Sequence, residues 1–124
     1  MKPENLAEPE YLDASLPAAR RADLLLAQLT LDEKIGQLCQ YVGETGSPTA
    51  ENADEVVGYA LALADKVKLI ESGRVGSFLK VPGALEANFL QEVAAATRLR
   101  IPLLIATDAI HGHGMDLPAA TIFP

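Results

Sequence analysis

A nearly continuous apolar run, Leu103-Leu104-Ile105-Ala106-Thr107, follows Pro102. It has the length of a strand and no polar alternation, the pattern of a strand buried in a parallel sheet. Parallel strands need crossover connections, usually helices, so this run demands partners of both kinds. The upstream sequence supplies them. Val75-Gly76-Ser77-Phe78-Leu79 is a short strand candidate, and Gln37 to Val42 is another, since Tyr41 and Val42 are good strand formers. Between these two, Ala53 to Glu71 carries a helical pattern with a break expected at Gly58. Ser72-Gly73 ends it, and Lys66 and Lys68 lie toward the negative end of the helix dipole. Leu85 to Leu99 forms the next helix, with Leu85, Phe89, Val93 and Ala96 at three- and four-residue spacing. Strand, helix, strand, helix, strand is the order of parallel βαβ units in an α/β fold. Three strands do not decide between an open sheet and a barrel. Either way the edge strands need neighbours.

The remaining segments are read by their local chemistry. Residues 1–16 hold Pro3, Pro9 and several acids and read as an extended N-terminal arm. Pro17 suits a first helical turn, and Ala18 to Leu26 is rich in helix formers, which predicts a helix over 17–29. Thr30-Leu31-Asp32-Glu33 is a capping-box pattern: the Thr30 hydroxyl accepts from an orphan amide while Glu33 reaches back to the N-cap. Leu31, Ile35 and Leu38 then share one face, and Gly36 allows close packing. Gly43 to Ala53 reads as a loop.

Composition narrows the function. The 124 residues carry a formal charge of −7, with 49% hydrophobic and 22% charged residues, as in ordinary soluble domains. An acidic chain without a basic patch is a poor partner for nucleic acid or an anionic membrane. No apolar run approaches the roughly 18 residues of a membrane span. Met1-Lys2-Pro3-Glu4-Asn5 lacks the charged start and apolar stretch of a signal peptide, so the expected location is cytoplasmic. The single Cys39 cannot form an intramolecular disulfide and reads as a small buried hydrophobe.

Asp108 falls where the apolar run ends. A carboxylate at the carboxy end of a buried strand can accept hydrogen bonds from two adjacent hydroxyls, which suits a sugar ring; it can equally be an N-cap or turn Asp. His111 and His113, with Asp108 and Asp116, invite a metal reading, but their spacing is irregular and Gly112 and Gly114 interrupt it. Asp32 and Glu33 are neighbours at a helix start and point apart, so they are not a catalytic pair.

An ordered series of motifs resembles glycoside hydrolase family 3. Thr30 to Leu38 is similar to that family's Thr-Leu-Glu-Glu-Lys-Ile-Gly-Gln-Met opening, and Gly73 to Leu79 to its Gly-x-Val-Gly-Ser-hydrophobic-Leu segment. Asn88-Phe89-Leu90-Gln91 resembles Asn-x-Leu-Gln. Arg98 to Leu103 resembles Arg-Leu-Gly-Ile-Pro-Leu, with Arg100 in place of the frequent Gly. Asp108-Ala109-Ile110-His111-Gly112 and Ala120-Thr121-Ile122-Phe123-Pro124 complete the series. The stretch from Asp108 resembles the β-glucosidase and β-xylosidase branch rather than the N-acetylglucosaminidase branch.

The resemblance implies a (β/α)8 TIM-like barrel of which residues 17–124 are the first half, incomplete at Pro124, because a barrel takes about 250 residues. It implies a β-glucoside or related oligosaccharide as substrate and a retaining mechanism. Asp108 would bind sugar hydroxyls, and His111 and His113 would be structural or line the pocket. No catalytic residue is expected in this chain: the nucleophile and the acid/base would follow Pro124. No metal or cofactor is called for. Arg98 reads as a structural ion-pair partner, and Glu33 and Lys34 as capping and surface charges. The rival reading is a non-catalytic fragment that binds sugar weakly or pairs with its missing remainder. A third is a small independent α/β domain.

Overall fold

A computed structural model describes residues 8–43 and 61–107. The helices are α1 (Ala18–Gln28), α2 (Leu31–Gln37), α3 (Leu63–Glu71) and α4 (Gly83–Ala96); the strands are β1 (Gln40–Val42), β2 (Ser77–Leu79) and β3 (Leu104–Ala106). The strands form one parallel sheet in the order β1-β2-β3, with Tyr41 opposite Phe78 and Phe78 opposite Ile105. The βαβαβ order expected from the alternation is therefore present as an α/β unit. Of the long helix expected from Ala53, Leu63–Glu71 is observed; residues 53–60, with Gly58, lie outside the described part.

Local sequence explains the element ends. At α2 the Glu33 amide donates to Thr30 Oγ1 at 3.2 Å and the Thr30 amide to Glu33 Oε2 at 2.8 Å, a complete capping box. α3 stops at Ser72 because Gly73 turns left-handed, with φ +68°. The Gly73 and Arg74 amides then cap Ile70 and Leu69 carbonyls. Within residues 8–16, Glu10–Leu12 form a 3-10 turn rather than extended backbone. Tyr11 is buried there and its hydroxyl donates to the Leu99 carbonyl at 3.1 Å.

The core lies on one face of the sheet. Ile70, Val75, Phe78, Val81, Leu90, Ala94 and Leu103 form it, with Tyr41 packed alongside. Registered partners in a parallel sheet share a face, so Tyr41, Phe78 and Ile105 face the helices. None of Gln40, Val42, Ser77, Leu79, Leu104 or Ala106 joins the core. Leu104 is 73% exposed and Ile105 39%, which corrects the expectation of a buried third strand: among the described residues nothing covers its second face.

Two motif glycines are explained by close approach. A Cβ on Gly36 would lie 2.0 Å from the Gly73 carbonyl oxygen, and one on Gly76 would lie 2.3 Å from the Gln37 carbonyl oxygen. The backbone of α2 and the turn before β2 thus touch without side chains between them. Gln91, from the Asn-x-Leu-Gln motif, pairs with Leu103 in both directions: its Nε2 donates to the Leu103 carbonyl at 2.8 Å, and its Oε1 accepts from the Leu103 amide at 3.0 Å. The segment entering β3 is thereby tied to α4, whose Leu90 is fully buried.

Candidate functional site

All three strands point their carboxy ends the same way, and Gly43, Lys80 and Thr107 follow them. The Gly43 amide donates to the Leu79 carbonyl at 2.6 Å and the Lys80 amide to the Ala106 carbonyl at 2.8 Å, so the three residues form a bonded rim. Lys80 is held at φ +60°, a left-handed conformation that costs a non-glycine residue of order 1 kcal/mol. In open and closed parallel sheets alike this edge is where ligands bind. Asp108, the sequence-derived sugar ligand, follows Thr107 directly in the chain. Asp108, His111 and His113 themselves lie outside the described residues, as does Asp116.

Behind the rim sits a residue that the sequence reading missed. Lys66, in the first half of α3, is fully buried. Its Nζ donates to the Gly43 carbonyl and, at 2.5 Å, to Glu86 Oε1 from the first turn of α4. A buried ammonium needs such partners, because an unpaired one loses its hydration without return. The expectation that Lys66 and Lys68 both serve the helix dipole holds only in part. Lys68 is exposed, and its ammonium is held above the usual lysine range by its hydrogen bond and ion pair with Asp65 at 2.9 Å. Lys66 instead shares the inner face with Ile70, four residues on. That spacing was the available signal, overridden by the general rule that lysine is a surface residue.

The opposite, amino edge of the sheet is structural. A shallow hollow there is lined by Glu33, Gln37, Gly73, Arg98 and Leu103 among others. Arg98 Nη2 donates to both Glu33 carboxylate oxygens at 2.6 Å, as expected for a structural ion-pair partner. The Thr30 amide hydrogen bond and then the Arg98 pair hold the Glu33 carboxyl below the usual carboxylate range. Cys39 is half-buried rather than buried, and its thiol donates to the Ile35 carbonyl at 3.4 Å. The short strand β1 leaves it on the turn out of α2, outside the packed core. No described helix is long and apolar enough to cross a membrane. Among the described residues no group of three His, Cys, Asp or Glu is placed to hold a metal ion.

Comparison with known proteins bears on what this rim serves. No protein-family profile matches the sequence. The chain is 37% identical over 105 residues to a periplasmic β-glucosidase/β-xylosidase of Dickeya chrysanthemi, covering 79% of this chain and 15% of that protein. It is 32% identical over 111 residues to a periplasmic β-glucosidase of Salmonella typhimurium, covering 87% of this chain and 12% of that protein. The chain thus spans under a sixth of the length of these curated relatives. Both relatives are named periplasmic, which overturns the cytoplasmic expectation. That expectation rested on the first five residues alone, whereas the match runs along most of the chain. The matches establish a relationship to glycoside hydrolases of the β-glucosidase and β-xylosidase kind.

Proposed function

We propose that the full-length protein hydrolyses terminal, non-reducing β-D-glycosidic bonds, with this chain supplying part of the sugar pocket through Asp108. The observation that carries the reading is the similarity to β-glucosidases along 79% and 87% of the chain. The parallel sheet supports it, because Asp108 continues from a strand at the carboxy edge. In this reading the protein is a family 3 enzyme and the sheet is part of a (β/α)8 barrel. The relatives' names favour a periplasmic location.

The mechanism is a retaining double displacement. An Asp carboxylate attacks the anomeric carbon while a Glu protonates the departing glycosidic oxygen. Water, deprotonated by the same Glu, then releases the sugar from the covalent intermediate. Both residues belong to sequence after Pro124. Asp108 contributes by accepting hydrogen bonds from sugar hydroxyls, and His111 and His113 border the pocket. Binding energy at hydroxyls remote from the reacting carbon accelerates cleavage when those bonds tighten in the transition state.

The test is Asp108→Ala in the full-length protein, assayed on an aryl β-glucoside. Loss of two hydrogen bonds to a charged acceptor costs on the order of 3–5 kcal/mol of transition-state stabilisation, so kcat/KM falls by two to three powers of ten, roughly. Activity within a few-fold of wild type removes Asp108 from the sugar site.

A further inference from the structure

The rim formed by Gly43, Lys80 and Thr107 is joined along its length by two backbone hydrogen bonds, Gly43 to Leu79 and Lys80 to Ala106. At its β1 end it is fixed from the helix layer. The Gly43 carbonyl accepts from the buried Lys66 ammonium, which Glu86 holds in turn at 2.5 Å. On another side Val81 closes in: a Cβ on Gly43 would lie 2.7 Å from Val81 Cγ2. Gly43 is therefore confined by an ion pair, a core side chain and a strand partner at once.

A buried ion pair is a poor source of stability, because desolvation of the two charges offsets their attraction and an apolar side chain of similar size often serves as well. An ammonium does one thing that an apolar side chain cannot: it fixes a carbonyl in a defined position. Here that carbonyl belongs to the residue where the chain leaves the sheet on the side of the candidate site. We infer that Lys66 and Glu86 are positioning residues for the sugar site, setting the height of the rim at β1 and, through the two backbone hydrogen bonds, the point from which the chain continues into Asp108. This rests on the proposed role of Asp108. It goes beyond that role by naming what holds the carboxylate in register.

The experiment is a double-mutant cycle in the full-length protein, with kcat/KM measured on p-nitrophenyl β-glucoside and β-xyloside. Lys66→Met lowers kcat/KM about tenfold when Asp108 is present and by less than about twofold in the Asp108→Ala background, because what it removes is the placement of Asp108. Glu86→Gln, which keeps an acceptor for Lys66, loses less than Lys66→Met. Equal factors in both backgrounds are the signature of a purely structural residue and overturn the inference, as does kcat/KM for Lys66→Met within about twofold of wild type. Should Lys66→Met fail to fold, the same cycle run with Glu86→Gln decides by the same criterion of non-additivity. A wild type inactive on both glycosides, or active but indifferent to Asp108→Ala, overturns the functional reading itself. A costly Asp108→Ala with an additive Lys66 effect overturns this inference alone.

Discussion

Arg100 occupies a backbone position made for glycine. Its φ is +51°, in the left-handed region where a Cβ meets the following carbonyl. The resembled family frequently has Gly at this point, and the geometry gives the physical reason. Arg100 obtains only an exposed pairing with Glu8 at 3.3 Å in return, worth little in water. Arg100→Gly should therefore raise stability by about 0.5–1 kcal/mol despite glycine's larger unfolded-state entropy, visible as a higher Tm. A lowered Tm would mean that the Glu8 pair outweighs the strain. The strain was not legible in the sequence, since Leu99-Arg100-Ile101 carries no turn signal of its own; only the comparison with a family pattern marked the position. Gln91 is similar. Its residue type is unremarkable in a helix, and its double hydrogen bond to Leu103 depends on a neighbour brought in by the crossover.

Among the elements, α2 was legible almost to the residue, because its start is encoded locally by Thr30 and Glu33. Thr30→Ala should cost about 1 kcal/mol of stability, read as a lowered Tm with KM unchanged. The same cap has a pH dependence. The Glu33 carboxyl titrates lower in the folded chain than in the unfolded one, through the Thr30 amide and Arg98. Its contribution is therefore complete above the ordinary glutamate range and is lost as pH falls through the lowered value. Glu33→Gln should flatten that acid limb of the stability profile. A limb equally steep in the variant would assign acid sensitivity to other carboxylates. The helices α1 and α4 were also legible from composition and period, within two to three residues at their ends. The strands were less so. Each was expected to be longer than the three residues observed, because apolar runs continue past the last ladder hydrogen bond into core-facing turns such as Val75 and Leu103.

At the scale of the molecule, the parallel order of the sheet was legible from the alternation of elements, while the location of its core on a single face was not. An apolar run says that a strand wants cover, without saying which segment provides it. The open face bearing Val42, Leu79 and Leu104, and the short share of the relatives' length that the chain spans, set the expectation for the 124 residues alone. Expressed by themselves they should release no p-nitrophenol from p-nitrophenyl β-glucoside, and should bind 8-anilinonaphthalene-sulfonate through the uncovered sheet. Turnover that disappears on Asp108→Ala would mean that catalytic carboxylates lie within this chain. The contact of Gly36 with Gly73, and of Gly76 with Gln37, carries a different consequence. Backbone that touches backbone cannot separate by a side-chain rearrangement, so α2 and the turn into β2 must open as one cooperative unit. The Gly76 and Ser77 amides, both bonded to the Cys39 carbonyl at 3.2 Å, should then exchange with deuterium at the same opening free energy as the amides of α2, although some forty residues of chain separate them.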